Sequence, residues 1–251
     1  MSDEQAPQRL PRADGLKLAV RHHAGRPDKP TLVFLPGYAS DMLGSKAVAL
    51  DAWAADQGYA MLRLDYSGCG ESEGAFAEGT LAIWRDDALF AIAQLVKDPV
   101  LLVGSSMGGW IALLMAQALG ARAAALVGIA AAPDFTIWGF TDDEKATLQT
   151  DGKLLRPSDY GPEPMLTTRG FWQSGQDNLL LDKGIDYAGP VRLLQGQSDE
   201  VVPWNIALRT ADALRSDDVQ VTLIKDGDHR LSRAADIDLL IGTVATLMES
   251  L

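Results

Sequence analysis

The chain alternates short aliphatic runs with longer stretches of helical periodicity, and this rhythm restricts the fold more than any other feature of the sequence. LKLAVRHH (16–23), TLVFLP (31–36), YAMLRLDY (59–66), PVLLVG (99–104), AALVGIA (124–130), VRLLQG (191–196) and VQVTLIK (219–225) read as strands. The central runs are almost continuously Val, Leu and Ile, as strands covered on both faces must be. Helical patterns fill the intervals at about 44–57, 79–97, 107–119, 204–215 and 233–250, with Thr80 and Ser232 just ahead of two of them as capping residues. The expectation is an α/β fold: a mostly parallel central sheet with helices on both faces. The first two strands are expected to pair as a hairpin, the first being polar enough for an edge.

One interval breaks the rhythm. From Pro133 to Pro190 no strand is evident, and aromatics (Phe135, Trp138, Phe140, Tyr160, Phe171, Trp172) mix with charged, helix-like pieces. A plain crossover between parallel strands needs far less chain. The expected organisation is a core of residues 1–132 and 191–251, with 133–190 inserted as a small cap over one end of the sheet.

The bend GSSMG at 104–108 carries the chemistry. It fits G-x-S-x-G with Ser106 at its centre, after an aliphatic strand and before an apolar helix, which is the context this motif demands. Side chains at the two glycine positions would collide across so sharp a turn. A serine hydroxyl is a weak nucleophile at neutral pH and needs a base. Of the three histidines, His22 and His23 lie on an early strand, whereas His229 follows the last strand in KDGDHRLS. The order serine, acid, histidine along such folds selects His229. The acid is expected between them at a strand's carboxyl end, where QGQSDEVVPW supplies Asp199; Glu200, Asp226 and Asp228 are the rivals. Two backbone N–H groups should face the developing oxyanion: that of Met107, after the nucleophile, and that of Tyr38 in PGYAS. Met42 and Leu43, with Phe135, Trp138, Phe140 and Trp172 from the insertion, are candidates for contact with an apolar acyl or aryl group. Trp110 and Trp204, at helix starts, read as packing residues.

Several function classes are disfavoured. The net charge of −12 repels nucleic-acid phosphates and anionic membranes. The longest apolar run, AAALVGIAAA, is too short to cross a bilayer, and the polar N-terminus is unlike a secretory signal, so a cytoplasmic protein without membrane insertion is expected. A single cysteine, Cys69, rules out an internal disulfide framework and a multi-cysteine zinc site, and it reads as a small buried thiol. LDYSGCGESEG (64–74) is glycine-rich after a strand but lacks G-x-G-x-x-G spacing, and its acids would repel a pyrophosphate. No cofactor and no metal are expected.

With these residues in place, the sequence resembles an α/β-hydrolase-fold serine hydrolase across residues 15–250. PGY after a strand, D-x-x-G-x-G-x-S from Asp65 to Ser72, GSSMG, G-x-x-D-x-x-V-P from Gly196 to Pro203, and the Asp228–His229 pair fall in that family's order. DYSGCGES, GSSMGGWIALLMA, VRLLQGQSDEVVPW and DHR resemble more narrowly the mitochondrial palmitoyl-protein thioesterase and mycophenolic acid acyl-glucuronide esterase subfamily. The resemblance implies cofactor-free hydrolysis of S-acyl thioesters and acyl-glucuronide esters, with Ser106, Asp199 and His229 as the triad. Gln195 and Pro36 depart from the family, standing where many relatives carry histidine. Neither is expected to touch the triad, although Pro36 bears on the oxyanion loop. A mitochondrial address is not expected, since nothing transit-like precedes the domain.

The reading is a serine hydrolase that cleaves carboxylic esters or thioesters of small molecules or acylated substrates through an acyl-enzyme on Ser106. The alternatives keep the triad for another reaction (peptide cleavage, carbon–carbon hydrolysis or perhydrolysis) or make the protein a non-catalytic receptor for a small ligand.

Overall fold

A computed structural model describes residues 6–157 and 164–251; Tyr160 lies outside them. In chain order, β1 (Gln8–Pro11), β2 (Lys17–His23) and β3 (Thr31–Leu35) precede α1 (Ser45–Gln57), then β4 (Met61–Leu64) and α2 (Leu81–Leu95). The strand β5 (Val100–Ser105) leads into α3 (Met107–Leu119), followed by β6 (Ala123–Ile129). After the insertion come β9 (Val191–Gly196), α7 (Asn205–Ala213), β10 (Val219–Ile224) and α8 (Ala234–Ser250). The insertion itself holds α4 (Phe135–Trp138), α5 (Asp142–Asp151), β7 (Lys153–Arg156), β8 (Met165–Thr168) and α6 (Arg169–Asp177).

Eight strands form one sheet in the order β1-β2-β4-β3-β5-β6-β9-β10. From β4 to β10 every pairing is parallel, while β1 and β2 join antiparallel at one side. Every residue of β3 is buried, so β3 needs a partner on each side as well as cover on each face. A hairpin with β2 would have left it near an edge. That expected pairing is corrected: β4 lies between β2 and β3. Nor is β2 the edge, because β1, which has a proline at its end, pairs outside it.

Side chains alternate across the sheet and divide the core in two. Leu32, Phe34, Leu101, Val103, Ala125 and Val127 pack with α1 and α8 on one face. Val33, Leu35, Leu102 and Leu126 pack with α2, α3 and Ala207 of α7 on the other. Residues 107–116 of α3 are buried without a break, in keeping with a helix that is apolar all round. Thr80 caps α2 through its hydroxyl, which accepts the Ile83 N–H at 3.1 Å. Ser232 does not cap α8; the Asp236 carboxylate accepts the Arg233 N–H at 3.0 Å, and Arg233 occupies the cap position.

The interval without expected strands contains one antiparallel pair, β7 with β8. KLLR and MLTT are too short and too mixed to show a period of two, so sequence alone does not reveal them. This small sheet and α6 lie on the side of the main sheet where the parallel strands end. There the Tyr38 hydroxyl donates to the Leu166 carbonyl at 2.6 Å, and the Tyr38 ring centroid is 4.6 Å from that of Phe171.

Candidate active site

The register of the parallel strands sets several strand ends level. Ser105 of β5 faces Ile129 of β6, Ile129 faces Leu194 of β9, and Gly196 of β9 faces Ile224 of β10. Three loops therefore open on one rim, carrying Ser106, Asp199 and His229.

Ser106 occupies the turn between β5 and α3 with φ 54° and ψ −119°. A residue with a β-carbon is strained there and stays only if its neighbours hold it. They do: the Ser106 N–H donates to the Ile129 carbonyl at 2.9 Å, and its own carbonyl accepts the Gly109 and Ala132 N–H groups at 2.9 and 3.0 Å. The flanking glycines make the turn possible. A β-carbon at Gly108 would stand 2.0 Å from the Leu35 carbonyl oxygen, and one at Gly104 would stand 2.2 Å from that of Gly108.

Opposite Ser106 runs the loop after β3. A β-carbon placed at Gly37 would lie 3.4 Å from Ser106 Cβ, so the peptide that carries the Tyr38 N–H passes directly beside the serine. Outside helices and strands, neither the Tyr38 nor the Met107 N–H is paired with a backbone acceptor among the described residues. Pro36 accepts the Tyr66 hydroxyl at 3.2 Å, which ties the base of this loop to the core.

Across the rim, His229 Nδ1 lies 2.9 Å from Asp199 Oδ2. The Asp199 side chain is wholly covered, while that of His229 keeps 16% exposure. Asp199 Oδ1 accepts the Val201 and Val202 N–H groups, each at 2.8 Å. Burial by itself would raise the carboxyl pKa of Asp199, but the hydrogen bond and charge of His229 and these backbone donors hold it below the ordinary value. The rival acids are engaged elsewhere. Glu200 is exposed, Asp226 pairs with Arg233 at 2.7 Å, and Asp228 accepts the Leu231 N–H at 2.9 Å. Among the described residues no hydrogen bond joins Ser106 Oγ to the His229 ring. The structure thus pairs acid with imidazole and sets the alcohol on the same rim.

One expectation is overturned. Gln195 touches the acid: its Nε2 donates to Asp199 Oδ2 at 3.0 Å and also faces the Gly196 and Val202 carbonyls at 3.2 and 3.3 Å. The signal available in sequence is an amide at the end of the aliphatic run VRLLQG, where a buried polar group needs partners. Asp65 is a second residue missed in a supporting role. Its buried carboxylate accepts the Met42 and Glu71 N–H groups at 2.7 and 2.8 Å and so fixes the far end of the Tyr38 loop.

The apolar candidates divide by burial. Met42 is fully buried, and Phe140 and Trp172 pack on Leu148 within the insertion. Leu43 is exposed, while Phe135 and Trp138 are half-buried beside Val202 and Ile206. Trp110 is buried as expected of a packing residue, whereas Trp204 is 41% exposed. Burial pushes the Cys69 thiol up to about 12, so it is inert as a nucleophile at neutral pH. Among the described residues no cluster of three or more His, Cys, Asp or Glu could hold a metal, and no helix is long and apolar enough to cross a membrane.

Residues 32–246 match the alpha/beta hydrolase family. The chain belongs to that family. This hydrolase is 39% identical over 246 residues to the mouse palmitoyl-protein thioesterase ABHD10, mitochondrial, covering 96% of this chain and 82% of the relative. The human protein of that name is 38% identical over the same length, covering 80% of the relative. Among solved structures, mouse alpha/beta hydrolase domain-containing protein 10 superposes with a TM-score of 0.91 at 38% identity, over 98% of this chain and 99% of the other. A putative hydrolase from Agrobacterium vitis S4 gives 0.89 at 40% identity, over 97% and 98%.

Proposed function

We propose that this hydrolase cleaves carboxylic thioesters or esters through an acyl-enzyme on Ser106. One observation carries the reading: the covered Asp199–His229 hydrogen bond shares a rim with a serine held in a strained strand-to-helix turn. In the proposed reaction His229 Nε2 takes the hydroxyl proton as Ser106 Oγ attacks the acyl carbonyl. The Asp199 carboxylate keeps the Nδ1 proton in place and offsets the imidazolium charge. The Met107 and Tyr38 N–H groups receive the oxyanion, an interaction worth roughly 2.7–4 kcal/mol of barrier per donor. The imidazolium then protonates the leaving thiol or alcohol, and water enters by the same base to release the acid. The names of the relatives favour a long-chain S-acyl group. Leu43, Phe135 and Trp138, the apolar candidates that retain exposure, would line its path, with residues 133–190 as the cap.

Fluorophosphonate labelling followed by peptide mass mapping tests the assignment. The expected adduct sits on Ser106 and is absent in Ser106→Ala. That variant should retain the wild-type melting temperature and lose at least about 10³-fold in kcat. Asp199→Asn should cost about 10⁴-fold, because the imidazole then takes the wrong tautomer. Acyl-thioester, acyl-glucuronide, oxygen-ester and amide reporters of graded chain length rank the substrates. Absence of a Ser106 adduct together with no turnover of any reporter would return the protein to the receptor reading.

A further inference from the structure

We infer that Gln195 is a positioning residue for the Asp199–His229 pair, and that its amide sets how strongly the pair holds a proton on the imidazole. The inference rests on the catalytic reading above.

A carboxylate offers about four acceptor sites, two on each oxygen. In Asp199 all four are taken: Oδ1 by the Val201 and Val202 N–H groups, Oδ2 by His229 Nδ1 and by Gln195 Nε2. The two backbone donors hold the Oδ1 side of the carboxylate, and the Gln195 amide holds the Oδ2 side. What the amide adds is a second donor on the oxygen that faces the imidazole. The two donors divide the charge of that oxygen between them, and the share held by Gln195 is withheld from the imidazolium.

The orientation of the amide is settled by its surroundings. Nε2 faces three oxygens, those of Asp199, Gly196 and Val202. Turning the group over would set Oε1 against all three. Gln195 is completely buried, and among the described residues no donor reaches its Oε1. A strand residue chosen only for packing would carry no such orphaned acceptor. The carboxylates of the histidine loop and the lysine beside it have partners of their own: Asp226 pairs with Arg233. Asp228 accepts the Leu231 N–H, and Lys46 of α1 donates to the Arg230 carbonyl.

Gln195→Leu keeps the bulk and removes the donor. With the whole Oδ2 charge directed at Nδ1, the imidazolium is stabilised. The acid limb of the kcat/KM–pH profile should move up by about 0.5–1 unit, and activity below that limb should fall by about three- to tenfold. The low-field proton resonance of the His229 Nδ1–H should shift further downfield as its hydrogen bond strengthens. Gln195→Met, flexible and also lacking a donor, serves the same test if the leucine variant folds poorly. An unchanged or downward-shifted limb, with any loss confined to a pH-independent drop in kcat or in melting temperature, overturns the inference and leaves Gln195 a packing residue. Fluorophosphonate labelling of the wild type separates the two failures. No Ser106 adduct sinks the catalytic reading, whereas an adduct with no movement of limb or resonance sinks the role of Gln195 alone.

Discussion

Ser106 stands at φ 54°, a conformation that costs a residue with a β-carbon of order 1–3 kcal/mol. Relief of that strain should be measurable. Ser106→Gly should unfold at higher urea than Ser106→Ala, by about 1 kcal/mol in equilibrium denaturation, although both lack the hydroxyl. If the glycine variant proves the less stable, the turn is held without strain. G-x-S-x-G made this residue readable from sequence, because the steric demand of the turn is written in adjacent glycines. Gln195 was not readable in the same way. Its partner is four positions on, and only the fold of the loop after β9 turns the Asp199 carboxylate back onto it.

At the scale of elements, the parallel strands and long helices were legible because their patterns are sustained and strands β3 to β6 and β9 are almost wholly buried. The hairpin of the insertion was not, since four-residue strands show too little pattern. Leu154 of β7 packs on the Phe140, Leu148 and Trp172 cluster, and a local charged contact adds to it. Arg156 of β7 reaches Glu144 of α5 at 2.6 Å, and that hydrogen bond is the main cause lowering the Glu144 pKa from 4.5 to about 2. A depressed carboxyl stabilises the native form above its unfolded pKa and loses that contribution as pH falls through the native one. Amide exchange in α5 and β7 should therefore lose protection between about pH 4.5 and 2, and Glu144→Gln should abolish that pH dependence. The insertion also meets the sheet through Tyr38. Tyr38→Phe keeps the aromatic contacts with Phe76, Trp84 and Phe171 and removes the hydroxyl with its hydrogen bond to Leu166, worth about 1 kcal/mol. Exchange in β8 should quicken, and kcat/KM should fall severalfold with little change in melting temperature. An unchanged kcat/KM would show that the proposed oxyanion loop does not depend on its tie to the insertion.

Across the whole molecule, stability near neutrality should slope with pH because of β2. His23 Nε2 lies 3.4 Å from Asp51 Oδ1, and Arg63 reaches the other Asp51 oxygen at 2.9 Å. Contact with the Asp51 carboxylate outweighs partial burial and the nearby Arg63 charge and lifts the His23 pKa above 6.5. Its contribution is complete below 6.5 and is lost as pH rises through the native value. His22 acts in the opposite sense, because burial, with the His23 charge, lowers its pKa. The advantage of the wild type over His23→Asn in urea midpoint should shrink from about pH 6 to 8; a constant difference would mean that the pair carries no linked proton. The strand order has a consequence for biosynthesis. The serine is delivered early, just after β5, and the imidazole only after β10. A nascent chain stopped after β6 carries Ser106 but neither Asp199 nor His229, the partners the proposed reaction requires. On the proposed mechanism, acyl substrates met during translation would leave such a chain unmodified until the last strand pairs and brings the loop after it to the rim.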